Sequence, residues 1–221
     1  MDFNTGTGGT GGEGSSPREP GGPPPPRTSG VATGEEFRYT DPVQTFISTV
    51  QAVVLQPVNF FRGILRQGDY INPLVFAIIC YEVSAILGGI IGLAFSSRGF
   101  GGFIGGIILA PIGAVIGLFI GAGIIHLLVM LIIGSRNAGY EGTFRVAAYS
   151  SVVNLVSWIP LIGWIASLYG IYLAIIGIRE VHTTTTGKAA LVVLIPVAVV
   201  LLLVLILVVL VGAALFFSLQ Q

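Results

Sequence analysis

Four polar side chains lie inside long apolar stretches of this 221-residue sequence: Glu82, His126, Asn154 and Tyr172. A carboxyl group, an imidazole, an amide and a phenol can each donate or accept hydrogen bonds, so together they could relay protons or bind an ion. An ionisable residue within an apolar membrane segment is a candidate functional site by default. The chemistry therefore depends on whether the surrounding helices bring these four groups together.

The apolar stretches themselves predict a membrane protein. Hydrophobic residues make up 53% of the chain and charged residues only 9%, whereas a soluble domain carries about 25% charged residues. About 20 apolar residues in a helix cross the hydrocarbon core of a bilayer. We predict an all-α, polytopic bundle in residues 68–221 with five membrane-spanning helices, near residues 73–95, 103–133, 144–159, 161–178 and 189–217. The third and fourth are short, and a re-entrant pair is the alternative to two full crossings.

Two segments precede the first predicted span. Residues 1–41 are rich in Gly, Pro, Ser and Thr, so they bury too little apolar surface to order their backbone, and we predict a disordered tail. Residues 42–67 carry apolar side chains at helical spacing, divided by Pro57. They predict an amphipathic helical region in the membrane interface, whose apolar face could also pack on the bundle.

The loop charges predict the orientation of the chain. With five spans, the segments on one side contain six basic residues: Arg62, Arg66, Arg136, Arg145, Arg179 and Lys188. The segments on the other side contain only Arg98. Because Lys and Arg accumulate in short cytoplasmic loops, we predict a cytoplasmic N-terminus and a C-terminus outside.

The four polar residues are expected to form one layer. Measured along helices from the predicted cytoplasmic ends, Glu82 lies about 13 Å and His126 about 10 Å into the membrane. Asn154 and Tyr172 fall at comparable depth. Such a layer could be an internal hydrogen-bond cluster that fixes helix register, a proton relay or ion site, or a docking site that opens on rearrangement. One Glu and one His are too few ligands for a metal site, so we predict neither metal nor cofactor.

Small residues at four-residue spacing predict close helix packing, which apolar helices in lipid need in order to associate. The glycines concerned are Gly88, Gly92, Gly113, Gly117, Gly121 and Gly170. They could pack within one bundle or form a homodimer. The last predicted span is mostly Val and Leu, so we expect it to lie at the periphery and to face lipid.

The sequence favours contacts rather than catalysis. It contains no His-Glu-x-x-His, Gly-x-Ser-x-Gly or phosphate-loop motif, and its net charge of +0 gives no reason to expect nucleic-acid binding. The polar loop 179–188 is expected to be exposed, including His182. Its residues Arg179, Glu180, His182 and Lys188, together with Arg62 and Arg66 before the first span, are candidates for lipid or protein contacts.

From Gln56 onward the sequence resembles the Yip family of Ypt/Rab-interacting membrane proteins, in its bacterial form. The resemblance rests on residues 57–62 (PVNFFR) with 72–76 (NPLVF), on 144–149 (FRVAAY) with 159–163 (IPLIG), and on Tyr172, 177–182 (GIREVH) and 186–190 (TGKAA). It implies an all-helical five-span bundle with a cytoplasmic N-terminus. Eukaryotic members of the family act in vesicle traffic and bind small GTPases, but their Asp-Leu-x-Gly-Pro motif is absent here.

Together, these features predict a non-enzymatic membrane scaffold or adaptor that acts through protein or lipid contacts. Its partners would be the bilayer, other membrane proteins or a second copy, with a small GTPase expected only by family analogy. The tail composition and the absence of Asn-x-Ser/Thr sequons favour the bacterial inner membrane. The alternative is a small transporter, channel or transport accessory that uses the polar layer around Glu82 and His126.

Overall fold

The computed structural model describes residues 36–95, 99–218 and 220, and the ordered secondary structure of this part of the chain is helical, as predicted. The helices are α1 (Pro42–Leu55), α2 (Pro57–Gly63), α3 (Ile71–Phe95), α4 (Gly99–Ile132), α5 (Gly139–Ser150), α6 (Asn154–Ser157), α7 (Ile162–Val181) and α8 (Thr186–Ser218). A 3₁₀ turn, Ser151–Val153, joins α5 to α6. The predicted disordered tail lies outside the described residues as far as residue 35.

Four helices in the described residues are long and apolar enough to cross a membrane: α3, α4, α7 and α8. They correspond to four of the five predicted spans and confirm that the chain is a multi-pass membrane protein. The predicted third span falls on α5, the 3₁₀ turn and α6, none of which is long enough to cross alone.

Side-chain contacts fix the direction of each pass. The ring of Tyr70, just before α3, lies 6.2 Å from the ring of Phe119 in the second half of α4. A Cβ placed on Gly89, late in α3, would lie 2.6 Å from the ring of Phe103, early in α4, so α3 and α4 are antiparallel. His182, at the end of α7, accepts a hydrogen bond from the backbone of Ala138 after α4. Helix α7 therefore ends beside the end of α4, and α8 begins there. We call this the basic end of the bundle, because it carries the six basic residues of the predicted cytoplasmic segments.

The segmented third element returns the chain from the basic end to the opposite end. Arg145 of α5 bonds to the backbone of Asp69, before α3, whereas Ser157 of α6 lies 2.9 Å from the hydroxyl of Ser84, well along α3. Ser151 and Ser157 each donate a hydrogen bond to a carbonyl three residues earlier. Such back-bonding competes with helical bonds and bends a helix, which accounts for the interrupted geometry.

The turn between α6 and α7 is tight, as Pro160 and Gly163 predict. Leu161 has a φ of 68°, a left-handed conformation that is costly for a residue with a Cβ. A Cβ placed on Gly163 would lie 2.4 Å from the carbonyl oxygen of Ser157. Only glycine fits there, since the backbones of α6 and α7 approach too closely for any side chain.

Only some of the predicted packing glycines pack within this chain. A Cβ on Gly88 would lie 3.3 Å from Trp158, and one on Gly170 would lie 3.2 Å from Val153. By contrast, the positions of Gly92, Gly113, Gly117 and Gly121 are open, with no atom within 4 Å of an added Cβ. A methyl group added at any of those four positions would therefore meet no neighbouring element among the described residues.

Helix α8 packs only near its beginning. Ala189, Val192 and Val193 are buried there, but the side chains described from residue 198 onward are exposed. This agrees with a peripheral helix that faces lipid along most of its length.

Candidate functional site

The structure does not bring the four predicted polar residues together. No hydrogen bond joins any two of them in the described part of the chain. Tyr172 is 45% exposed and its ring lies 5.5 Å from that of Tyr169. Asn154 begins α6, where its carbonyl accepts a hydrogen bond from Ser157. The expected single layer is therefore corrected to separate sites.

The unequal lengths of α3 and α4 explain this correction. Tyr70 and Phe119 lie at the same level. From that level, Glu82 lies about 18 Å along α3 in one direction, and His126 lies about 10 Å along α4 in the other. Depths counted from the predicted span ends put the two groups at one level, but α4 continues well beyond the start of α3, so those ends do not coincide.

Glu82 is isolated in the middle of α3. One of its carboxyl oxygens, Oε1, is buried and has no hydrogen-bond partner. A buried polar atom without a hydrogen-bond partner is costly and calls for an explanation. Glu82 remains a candidate functional residue, but none of the three residues predicted to share its layer (His126, Asn154 and Tyr172) is hydrogen-bonded to it in the described part of the chain.

His126 instead belongs to a three-residue chain of hydrogen bonds at the basic end. Its Nδ1 lies 2.9 Å from the hydroxyl of Thr143 on α5. The same hydroxyl lies 3.1 Å from Nε2 of His182, and the two imidazole rings are 6.4 Å apart. Thr143 is 0% exposed. These two hydrogen bonds thus connect α4, α5 and the end of α7 through one buried hydroxyl group.

The partners determine where each proton lies. The backbone N–H of Ala138 donates to Nδ1 of His182 at 3.1 Å, so that nitrogen carries no proton. Nε2 of His182 then donates to Thr143, whose own hydroxyl proton is left to donate to Nδ1 of His126. Both imidazoles are neutral in this arrangement, with the hydrogen on Nε2.

His182 is buried, contrary to the expectation that it is a solvated loop residue. It is 2% exposed because the start of α5 covers it. Burial, together with the neighbouring His126 and Arg66, lowers the pKa of His182 to about 4. The side chain is therefore neutral at physiological pH and acts as a structural joint.

Arg145 forms the second buried polar cluster at the basic end, and sequence reasoning counted it only as a loop charge. Its side chain is 1% exposed. The guanidinium donates to Oε1 of Glu141 at 3.0 Å, to the carbonyl of Asp69 at 2.7 Å and to Glu36. The hydroxyl of Tyr149 donates to Glu36 at 2.8 Å. The cluster ties α5 to the segments that precede α1 and α3.

The remaining predicted loop residues form a third, exposed group. Arg62 donates to Glu180 at 3.0 Å, although its side chain is 65% exposed. Arg66 donates to the hydroxyl of Thr183 at 3.0 Å, and Arg179 pairs with the adjacent Glu180. Lys188 is exposed at the start of α8. These contacts connect α2 to α7 and to the loop that follows it.

An open cleft lies beside this exposed group. It has a volume of about 520 Å³ and is lined by Arg66, Gln67, Ser135, Asn137, Ala138 and Gly139. Its lining combines a cation with neutral polar groups at the expected level of the lipid headgroups. In the described residues, no group of three His, Cys, Asp or Glu side chains could hold a metal ion.

Some of the residues that sequence reasoning missed carry a readable signal. Glu141 and Arg145 are four residues apart on one helix, the spacing of an ion pair. The signal for Thr143 is weaker, because a single hydroxyl beside apolar residues is common in membrane helices. Nothing in the sequence marks Glu36 or Phe37, which lie in a segment predicted to be disordered; Phe37 is 0% exposed.

The fold and these sites define a polytopic helical membrane protein whose polar contacts are concentrated at one end. A family model, the Yip1 domain, matches residues 52–217. The match covers more than half of the chain, and the protein belongs to the Yip1 domain family. Comparison with curated proteins gave no match, and comparison with solved structures gave none either.

Proposed function

We propose that this protein is a non-enzymatic membrane scaffold or adaptor that acts through protein and lipid contacts at the basic end of its bundle. The proposal rests chiefly on the exposed cations there, some of which are held in position by hydrogen bonds to neighbouring side chains. Arg62 and Arg66 are exposed, yet each is held by a side chain at the end of α7 or in the following loop. Pre-ordered cations lose little conformational entropy when they bind.

The chemistry of this surface suits an anionic partner. Arg62, Arg66, Arg136 and Lys188 are all exposed, and each basic side chain near an anionic membrane surface contributes about 1 kcal/mol. Such cations can bind lipid phosphates and an acidic protein segment together. The distribution of Lys and Arg supports a cytoplasmic location for this end and a C-terminus outside. The composition of residues 1–41 and the absence of Asn-x-Ser/Thr sequons support a bacterial inner membrane.

In-cell crosslinking tests the adaptor function. The full chain is crosslinked in its native membrane, purified with native lipids, and compared with a double variant, Arg66→Glu and Lys188→Glu. We expect the wild type to carry a reproducible protein partner that the double variant loses. The matched control is Glu82→Gln, which should retain the partner. If the double variant and the wild type recover the same partner in equal amount, the basic end is not the working surface.

A second function, as a small transporter or transport accessory, is favoured by one observation: the buried Oε1 of Glu82 has no partner. A membrane carboxyl oxygen that has no partner in the protein could bind a proton or cation during transport. Under this function, Glu82→Gln would abolish flux in reconstituted vesicles while the chain still inserts. Flux that is equal in the wild type and the variant would exclude a role for Glu82.

A further inference from the structure

The segment before α1 occupies the Arg145 cluster, although it lies outside the family match. The Yip1 domain begins at residue 52, whereas Glu36 and Phe37 lie well before it. Phe37 is nevertheless 0% exposed, and the side chain of Glu36 is 13% exposed. A short acidic–aromatic pair from the tail region is therefore inserted into a site built mainly by the family domain.

Three donors from the domain converge on the carboxylate of Glu36. Nη1 of Arg145 and the hydroxyl of Tyr149 both donate to Oε2. The backbone N–H of Leu65 donates to Oε1. Both oxygens are thus engaged, one by a buried cation and a phenol, the other by an amide. This is the composition of a carboxylate-binding site rather than of a chance surface ion pair.

The domain already satisfies the rest of Arg145 without Glu36. Nε and Nη2 donate to Glu141, and Nη2 also donates to the carbonyl of Asp69. Glu141 supplies one negative charge for the one positive charge. Glu36 is therefore a second carboxylate, which Arg145 does not need for charge neutrality. Nη1 of Arg145 faces the position that the Glu36 carboxylate occupies.

An aromatic slot lies beside the carboxylate position. The ring of Phe37 lies 6.0 Å from that of Phe76 on α3 and 6.4 Å from that of Phe46 on α1, edge to face. Phe76 in turn lies 5.2 Å from Tyr149, the residue that donates to Glu36. Tyr149 thus borders both the aromatic slot and the carboxylate position. The two positions are therefore close enough to bind two adjacent side chains of one peptide.

We propose that Arg145, Tyr149, the Leu65 amide and Phe76 form a docking site for an acidic–aromatic peptide, and that Glu36 and Phe37 are its tethered, exchangeable ligand. In the described state the chain fills its own site and keeps it closed to other peptides. The proposal goes beyond the adaptor function and stands without it, because it concerns how the domain binds its own tail.

Tethering sets the conditions of the test. A ligand on a short linker has an effective concentration of about millimolar or higher, so a free peptide competes poorly with the wild-type segment. Removing the tethered side chains should open the site. The receptor is therefore the full chain in lipid nanodiscs with Glu36→Gln and Phe37→Ala, compared with the wild type. The probe is a fluorescent peptide with the sequence of residues 30–41.

We expect the probe to bind the double variant at least tenfold more tightly than the wild type, as measured by fluorescence anisotropy. A peptide with the same two substitutions should not bind either protein. Adding Tyr149→Phe to the double variant should weaken binding severalfold, because one of three donors is lost. A folded double variant that binds both peptides equally, or neither of them, would overturn the proposal.

A second measurement covers the case in which the double variant does not fold. A nitroxide label is placed at residue 40 in the otherwise wild-type chain, with Cys80→Ala to leave a single thiol. We expect peptide added at increasing millimolar concentration, comparable to the effective concentration of the tethered segment, to displace a growing fraction of that segment and increase the mobility of the label, while the substituted peptide leaves it unchanged. No change with either peptide would show that Glu36 and Phe37 are a permanent part of the fold.

Discussion

The basic end and the middle of the bundle differ in how they satisfy a buried ionisable side chain. At the basic end Arg145 is 1% exposed and bonded to two carboxylates and a backbone carbonyl. In the middle of α3, the buried Oε1 of Glu82 has no partner. The difference lies in what can reach each level. Loops bring backbone groups and charged side chains to the ends, whereas mid-membrane positions face helices whose backbone groups are already paired and whose side chains are mostly apolar.

The comparison predicts its largest effect at Arg145. Arg145→Met should destabilise the protein by about 3–5 kcal/mol, because Glu36 and Glu141 would keep their burial and lose their cation. The measurement is the free energy of unfolding in lipid bicelles. Arg136→Met, at an exposed position of the same end, is the control and should change little. A loss of less than 1 kcal/mol at Arg145 would show that water replaces its partners.

The next effect concerns steric contact at the same end. A Cβ on Gly177 would lie 2.5 Å from Val146 and 3.2 Å from Phe61. Gly177→Ala should therefore cost about 1–3 kcal/mol by overpacking. The matched control is Gly117→Ala, at an open position of α4, which should leave unfolding unchanged. Equal stability of the two variants would mean that α2, α5 and α7 are loosely packed.

A pH effect of about 2 kcal/mol is expected from His182. Its pKa is lowered to about 4 in the folded state, compared with about 6.5 in the unfolded chain. The unfolded state binds more protons between these values, so stability falls as pH drops from 6.5 towards 4 and is fully present above 6.5. Unfolding at pH 7 and pH 5 measures the loss. His182→Gln should reduce this pH dependence, and an unaltered slope would assign it to other groups.

The smallest effect is expected at the exposed pair of the basic end. Arg62→Ala should cost about 0–1 kcal/mol, since the side chain of Arg62 is largely solvated and salt screens the pair. A double-mutant cycle with Glu180→Gln isolates the coupling. A coupling above 2 kcal/mol would mean that this pair is part of the buried framework rather than of the working surface.

The helical class, the membrane character and the family could be predicted from sequence because they depend on composition and on local patterns. Long apolar runs with few charges form membrane-spanning helices, because a bilayer offers no partners for unpaired backbone groups. Motifs typical of the family, such as residues 177–182 (GIREVH), are contiguous in sequence. The tight turn at Pro160 and Gly163 is of the same kind. Each prediction needed only neighbouring residues.

The polar contacts could not be predicted in the same way, because they join distant segments. Depths counted along the predicted spans put His126 beside Glu82. In the structure α4 extends past the start of α3, so His126 lies beside Thr143 and His182 instead. Glu36 and Phe37 fall within the predicted tail because residues 1–41 as a whole are rich in Gly, Pro, Ser and Thr. A site that binds two adjacent side chains gives no periodic signal.

The open glycines show a related limit. Four-residue spacing identifies residues that permit close approach, but not the surface that approaches. An added Cβ on Gly88 would meet Trp158 within the chain, whereas one on Gly113 or Gly117 would meet no neighbouring element among the described residues. The same spacing thus marks both an internal interface and a face that this chain leaves open.

The most direct test of the account is a comparison of Arg66→Glu, Lys188→Glu and Glu82→Gln as single variants in the in-cell crosslinking experiment. If the protein acts through its basic end, the two charge reversals each reduce partner recovery and Glu82→Gln leaves it at the wild-type level. If Glu82→Gln alone removes the partner from a correctly inserted protein, the central claim fails and the functional centre lies in the membrane.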